Sequence, residues 1–534
     1  MPARRRASCS DRRPPAARRG RRTRAAVMDG AGGGLGRRAL RGMAWTGGGV
    51  AAELAFQTVV VMVLARLLQP ADFGVVAVGL VVTGFVGIFG ELGLIPAVIQ
   101  REQLGPVHLR TAFTTSLTLA LAIAAALWLL SPLLARFFAM PAVASMIAVL
   151  ALSLVVRAWA SVPSAMLQRS MRFRQLAFAN VSSYLVGFGV VGVGMAAAGF
   201  GPWALVAAHM AQVLVHGLTV HVACPVPHRL GVDGQALREL LAYGGGVSVA
   251  RLANYLATRG DNMVVGHTLG ATALGLYGPA YHLMALPADL FQRIVQAVLF
   301  PAVSRLQREP ERLAAAYRRG LAATALTALP ATALAMLLAP EVVAALLGPR
   351  WQGVAAPLQV LAAGMFFRVG YKMSVVFVKA TGAVQQLALR QVPYPLMVLS
   401  FAWLGTRWGL AGVAGVVVAA LGVHYVLLTA LGLRVARLSL RDYLHAHRPA
   451  LLLTAAVSLQ AWLALAAVRA GHLPAWLSLA LVAGSTCLTL AALIHWVPRS
   501  VLGAEVLWLR RSLAGVMMGA RGRPGMLASP DASR

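Results

Sequence analysis

Ionisable side chains stand inside runs of apolar residues long enough to cross a bilayer, and these side chains have the chemistry to do work there. Arg157, Arg251, Arg368 and Lys372 fall within such runs, as do the acids Glu53, Glu91, Asp261 and Asp289. A charge at bilayer depth costs several kcal/mol unless it faces a polar interior or a partner. Arg251, Asn254, Thr258 and Asp261 are spaced by 3, 4 and 3 residues, which puts them on one face of a helix. Arg368, Lys372 and Lys379 share a face at spacings of 4 and 7. Tyr277 and Tyr281 stand one turn apart, with Asp289 and Arg293 further along the same run. Guanidinium forks match pairs of phosphate oxygens, and an ammonium adds a compact positive charge. The set therefore suits a hydrated, basic cavity for an anionic headgroup. Internal ion pairing, such as Glu53 with Arg251 or Asp289 with Arg293, is the competing arrangement.

The elements that position these residues follow from the composition. Of 534 residues, 59% are hydrophobic and only 12% charged, about half the usual charged share. This excludes a soluble enzyme, a soluble binding module and a disordered chain. The net charge of +32 would suit nucleic acid, but the basic residues are scattered between apolar runs. Fourteen candidate spans start near 43, 74, 111, 142, 175, 202, 241, 270, 321, 355, 386, 409, 449 and 474. Lipid offers no hydrogen-bond partners to the backbone, so these spans are helices. The alternating ten-residue segments of a membrane barrel are missing. With both ends placed in the cytoplasm, eighteen basic residues fall on the inner loops and six on the outer ones. The positive-inside rule favours that orientation.

An internal repeat divides the chain. Leu68-Gln-Pro-Ala-Asp-Phe-Gly74 parallels Leu269-Gly-Ala-Thr-Ala-Leu-Gly275 at an offset of 201 residues, and both lie at a turn between long helices. Six helices separate the copies, so both enter the membrane from the same side and form a parallel repeat. The expected organisation is a first lobe over 37–223, a second over 224–433, two added helices over 434–497 and a cytoplasmic tail over 498–534. Residues 1–36 hold ten arginines and no apolar run. They read as a disordered basic tail, or as a start placed too early, with Met28 as the true start.

Other chemistries find no support. Cys9, Cys224 and Cys487 are isolated, which argues against a disulfide framework or a zinc site. His445 and His447 read as interfacial residues rather than metal ligands. The run Gly32-Gly-Gly-Leu-Gly36 lacks the Lys-Ser/Thr of a phosphate loop. Neither Gly-x-Ser-x-Gly nor His-Glu-x-x-His occurs, and no bound cofactor is expected.

Several stretches, in order, resemble the polysaccharide-transporter (Wzx-type flippase) family of the multidrug/oligosaccharidyl-lipid/polysaccharide (MOP) exporter superfamily. They are Leu64-Ala-Arg-Leu-Leu-x-Pro-x-Asp-Phe-Gly74, Glu91-Leu-Gly-Leu94, Ile99-Gln100-Arg101, Pro163-Ser-Ala165 and Gly201-Pro-Trp-Ala-Leu205. The richest stretch is Asp261, Gly266, Leu269-Gly270, Ala273-Leu-Gly275, Tyr277, Ala280-Tyr281 and Leu286-Pro287, with Phe300-Pro301, Trp351 and Ala380-Thr-Gly382 beyond it. The resemblance implies an all-α, V-shaped fold of two six-helix lobes plus two C-terminal helices. It also implies movement of an undecaprenyl-diphosphate-linked oligosaccharide between leaflets by alternating access, driven by a proton or sodium gradient.

On that basis the expected function is export of a lipid-linked oligosaccharide for polysaccharide biosynthesis (capsule, exopolysaccharide or O-antigen), not enzymatic catalysis. Arg157, Arg251, Asn254, Arg368, Lys372, Tyr277 and Tyr281 would bind the cargo, and Glu53, Glu91 and Asp261 would couple an ion. Membrane lipids, and a polysaccharide polymerase with its chain-length machinery, are the expected partners, with no nucleic acid. A multidrug/cation antiporter of the same fold would need an acidic cavity. A membrane glycosyltransferase or polymerase would need a sizeable loop carrying catalytic groups. A scaffold would have no use for costly buried charges.

Overall fold

The computed structural model describes residues 56–226, 230–471 and 474–496. Glu53 and both terminal segments, 1–36 and 498–534, lie outside them. Among the described residues every regular element is helical. The first half holds α1 (Phe56–Leu67), α2 (Pro70–Glu91), α3 (Leu94–Gln100), α4 (Pro106–Phe137) and α5 (Ala142–Arg169). Next come α6 (Phe173–Tyr184), a π-helical turn (Leu185–Gly192), α7 (Val193–Ala197) and α8 (Trp203–Ala223). Two long helices follow, α9 (Gly234–Thr268) and α10 (Gly270–Arg305). Beyond them lie α11 (Pro310–Leu337), α12 (Ala339–Leu346), α13 (Ala355–Ala380), α14 (Val384–Gln391) and α15 (Pro393–Gly405). The chain continues through α16 (Gly409–Val435), α17 (Leu440–Ala470) and α18 (Ala475–Trp496).

Local chemistry sets these boundaries. Pro70, Pro106, Pro310 and Pro393 each open a helix, where the missing N–H costs nothing and φ is already right. Gly270, at φ +86°, turns the chain between α9 and α10 in a left-handed conformation that a side chain would disfavour. Pro163 lies inside α5. Among the described residues, nine stretches are long and apolar enough to cross a membrane, one of them the continuous run Val384–Val435. The charge-bearing α9 and α10 are not among the nine. The count of fourteen crossings remains an expectation from the sequence.

Large apolar side chains such as Trp128, Leu129, Val222 and Leu488 are exposed. That pattern fits a surround of acyl chains. Lipid is as apolar as leucine, so helix adhesion here rests on close packing and polar contacts rather than on water exclusion. Small residues permit that closeness. At Gly187, in the π-helical turn, a Cβ would come within 2.6 Å of the Ala208 carbonyl oxygen on α8.

The described chain forms two compact units. The first runs to His282 and adds Leu346–Pro357 and Val392–Ala420. Val60, Leu64, Val76, Met146 and Leu150 form one of its cores, and Leu94, Val98, Phe113, Val162 and Leu240 another. Within it α9 packs on α2, α3, α4 and α15. The second unit comprises Leu283–Ala345, Leu358–Gln391 and the described residues from Leu421 onward. Its core gathers Val303, Leu313, Tyr317, Phe377 and Ala436.

Candidate functional site

A break in one helix builds the charged cluster of the first unit. α2 ends at Glu91, and Leu92 (φ +40°) and Gly93 (φ +65°) turn the chain through the left-handed region before α3 resumes it. At the break the backbone presses on α9. A Cβ on Gly93 would overlap the Gly244 carbonyl, and one on Gly244 would stand 2.5 Å from the Leu92 oxygen. This approach brings Glu91 to Arg251. The Arg251 guanidinium donates to one carboxylate oxygen of Glu91. Arg157, from α5, lies 3.8 Å from the other oxygen. Two guanidiniums from separate helices thus share one carboxylate.

The cluster sits deep along its helices and is open to a space. Arg251 is the middle residue of the 35-residue α9, about 25 Å of helix from either end at ~1.5 Å per residue. The side chains of Arg157 and Arg251 remain 54% and 41% exposed. A small cleft of about 20 Å³, room for roughly one water molecule, is lined by Gly87, Gly90, Glu91, Leu154 and Arg157. Asn254 follows Arg251 by nearly one turn and is also exposed. Excess positive charge midway along these helices can hold an anion that the surrounding lipid would reject.

The sequence reading missed two neighbours. His209 and His216 of α8 lie within electrostatic reach of Arg157. His216 Nε2 is 3.5 Å from Ser164 Oγ of α5. With Gln212 between them, the histidines repeat at 3 and 4 residues on one face of α8, and a search for polar stripes would have found them.

Asp261, Tyr277 and Tyr281 form a different kind of group. Asp261 is buried, and its carboxylate accepts from the Tyr277 hydroxyl at 2.9 Å and from the Asn262 N–H at 2.8 Å. Tyr277 and Tyr281 are buried as well, their rings 6.2 Å apart. Asp261 lies ten residues along α9 from Arg251, about 15 Å of helix. The structure therefore packs Tyr277 against Asp261, with Tyr281 beside Tyr277, away from the Arg251 level.

The second unit carries its own charged group. Lys372, on α13, donates to Asp289 Oδ1 at 2.8 Å and to the Ala288 carbonyl at 3.2 Å, both on α10. Arg368 precedes Lys372 by one turn, and both are buried. The four cations singled out in the sequence thus divide two and two between the units. Arg251 pairs with Glu91, while Glu53 and the Arg293 side chain lie outside the described residues. Among the described residues no group of three or more His, Cys, Asp or Glu gathers as a metal would require.

Near one end of α9 the first unit has a third ionic group. Glu239 accepts from Arg101 at 2.6 Å, meets His108 Nε2 at 3.1 Å and accepts from Gln235 at 3.2 Å. Hydrogen bonds from His108 and Gln235, then the charge of Arg101, hold its carboxyl below the usual carboxylate range.

These helices are those of a multi-pass membrane protein. The fold matches the solved "Lipid II flippase MurJ, inward closed conformation", with a TM-score of 0.67 at 12% identity over 83% of this chain and 98% of that one. Residues 63–356 match the family described as "Polysaccharide biosynthesis protein", and the chain belongs to that family. It is 27% identical over 313 residues to the succinoglycan biosynthesis transport protein ExoT of Rhizobium meliloti (strain 1021), covering 58% of this chain and 63% of the relative. It is 25% identical over 326 residues to the lipopolysaccharide biosynthesis protein WzxC of Escherichia coli (strain K12), covering 60% of this chain and 66% of the relative. The chain therefore spans less than two thirds of the length of either relative.

Proposed function

We propose that this protein is a flippase that carries a polyprenyl-diphosphate-linked oligosaccharide across the bacterial inner membrane for polysaccharide biosynthesis. The single observation that carries the reading is the Arg157–Glu91–Arg251 cluster, two guanidiniums to one carboxylate, halfway along α9 and beside a small cleft. A diphosphate is the part of such a cargo that lipid rejects most strongly, and paired guanidiniums suit its oxygens. The sugar chain follows the hydrated side of the path while the polyprenyl tail stays in the bilayer. The names of the relatives, a transport protein for one polysaccharide and a biosynthesis protein for another, support this direction. So does the fold shared with a lipid II flippase.

In this scheme Arg157 and Arg251 receive the diphosphate, and Lys372 and Arg368 form a second cationic station. Protonation of Glu91 frees its arginines for cargo, which couples a proton gradient to lipid movement; Asp261 is the alternative cation carrier. Both termini are cytoplasmic, and a polymerase with its chain-length machinery takes the product on the other side. A cation antiporter would need acids in excess where this cluster has bases.

A deletion strain tests the proposal. Lipid-linked oligosaccharide should accumulate facing the cytoplasm, and the gene should restore export. Unchanged glycan together with altered resistance to cationic dyes would instead favour the antiporter.

A further inference from the structure

The histidines beside Arg157 belong to a longer polar row within the first unit. His209, Gln212, His216 and Thr219 follow one another at 3, 4 and 3 residues, so they share one face of α8, and all four are half-buried. His209 and His216 both feel the charge of Arg157. Ser164 stands two turns beyond Arg157 on the same face of α5. His216 is seven residues from Ala223, the last residue of α8, or about 10 Å of helix at ~1.5 Å per residue.

His216 sits between two oxygen acceptors. On α5, Ser164 Oγ lies 3.5 Å from His216 Nε2, and the serine hydroxyl donates its own hydrogen to the Ala160 carbonyl at 2.8 Å. On α6, the Ala179 carbonyl accepts a hydrogen bond from the ring. A neutral imidazole has one N–H to offer these two oxygens, and an imidazolium has two. The ring is thus housed both with and without an extra proton. Of the ionisable groups on the helices around α8, Arg157 reaches the histidines, and Glu91 lies 3.8 Å beyond it. Arg169 turns to the Val98 and Glu102 carbonyls, and Tyr184 stacks on Phe188. Asp72 and Arg174 stand at the starts of α2 and α6, and the π-helical turn and α7 have no ionisable side chain. His221 of α8 itself stacks on Trp159 of α5 at 3.8 Å.

We propose that His216 is the relay by which the proton carried by Glu91 leaves the site, along the α8 row toward the end that arginine counting places inside. The proposal rests on the reading in which protonation of Glu91 frees its arginines for cargo; it adds the way out for that proton. The carboxyl O–H of Glu91 breaks, its electron pair staying on oxygen. The proton crosses water to the unprotonated ring nitrogen of His216, where an N–H forms, and the imidazolium then yields it to water at the inner end. Nothing is oxidised or reduced. Arg157 keeps its own proton throughout. Its like charge repels the imidazolium and sends the proton onward. Glu91 returns to a carboxylate held by Arg251.

Lipid movement with and without a proton gradient tests the relay. The full chain is reconstituted in vesicles with a fluorescent polyprenyl-diphosphate oligosaccharide, and transfer between leaflets is followed under both conditions. His216→Gln keeps a hydrogen-bonding amide but cannot carry a proton. Its rate under the gradient should fall to the gradient-free rate, while its gradient-free rate should match the wild type. His216→Ala should behave likewise, and imidazole added to the medium should restore its response to the gradient. A merely structural role would lower both rates and resist imidazole. Equal responses to the gradient in wild type and His216→Gln would overturn the relay, and so would equal losses with and without the gradient. If neither variant accumulates, Ser164→Ala removes one acceptor and should slow the driven rate several-fold at an unchanged gradient-free rate; an unaltered driven rate would again sink the relay. A wild type indifferent to the proton gradient would refute the coupling reading and the relay together, and this shows before any variant is made.

Discussion

Glu91 shows how little of an ionic site is local in sequence. Its partner Arg251 lies 160 residues away, and Lys372 lies 83 residues from Asp289. The sequence marked each of these as a costly charge within an apolar run but could not pair them, because pairing depends on helix packing. The stripe Arg251, Asn254, Thr258 and Asp261 was legible as one helix face, yet its two ends do different things: Arg251 is open to solvent and Asp261 is buried under Tyr277. Tyr277→Phe should therefore lower thermal stability in detergent by about 1–2 kcal/mol, the loss of one buried hydrogen bond, while export persists. Arg251→Ala should reduce export at least tenfold at normal protein level. Arg251→Lys should rescue it only in part, since an ammonium cannot reproduce the fork. Quantitative glycan export beside an immunoblot checks both arginine variants.

Helices were the most legible level, because lipid leaves a long apolar run no other regular structure. The discontinuities were less legible. Glu91-Leu-Gly-Leu94 stood out as a motif, but nothing local says that Leu92 and Gly93 break the helix; the press of Gly244 against that turn does. Gly93→Ala meets both a left-handed φ and the Gly244 backbone. It should cost about 1–3 kcal/mol and raise the exchange rate of amides around residues 90–95, measured by hydrogen–deuterium exchange. The tie between the α3–α4 turn and α9 carries a pH signature. Glu239 has a carboxyl held below its ordinary range, so its stabilising contribution is complete above the unfolded value and fades as pH falls through the lowered one. Acidification past the usual carboxylate range should speed exchange at residues 101–105. Glu239→Gln should show that faster exchange already at neutral pH and flatten the response.

At the scale of the molecule, the repeat seen in sequence as two similar turns brings Gly74 and Gly275 together in the structure, while the two compact units follow packing rather than sequence halves. Cargo movement through this molecule depends on the mid-helix cations Arg157 and Arg251. The most direct measurement reconstitutes the protein in vesicles with a fluorescent polyprenyl-diphosphate oligosaccharide in one leaflet, and follows its arrival in the other with an impermeant quencher under an imposed proton gradient. Wild-type protein should move the lipid faster than protein-free vesicles, and Arg251→Ala should fall to the protein-free rate. Equal rates for wild type and Arg251→Ala, or no movement by either under proton or sodium gradients, would contradict the account.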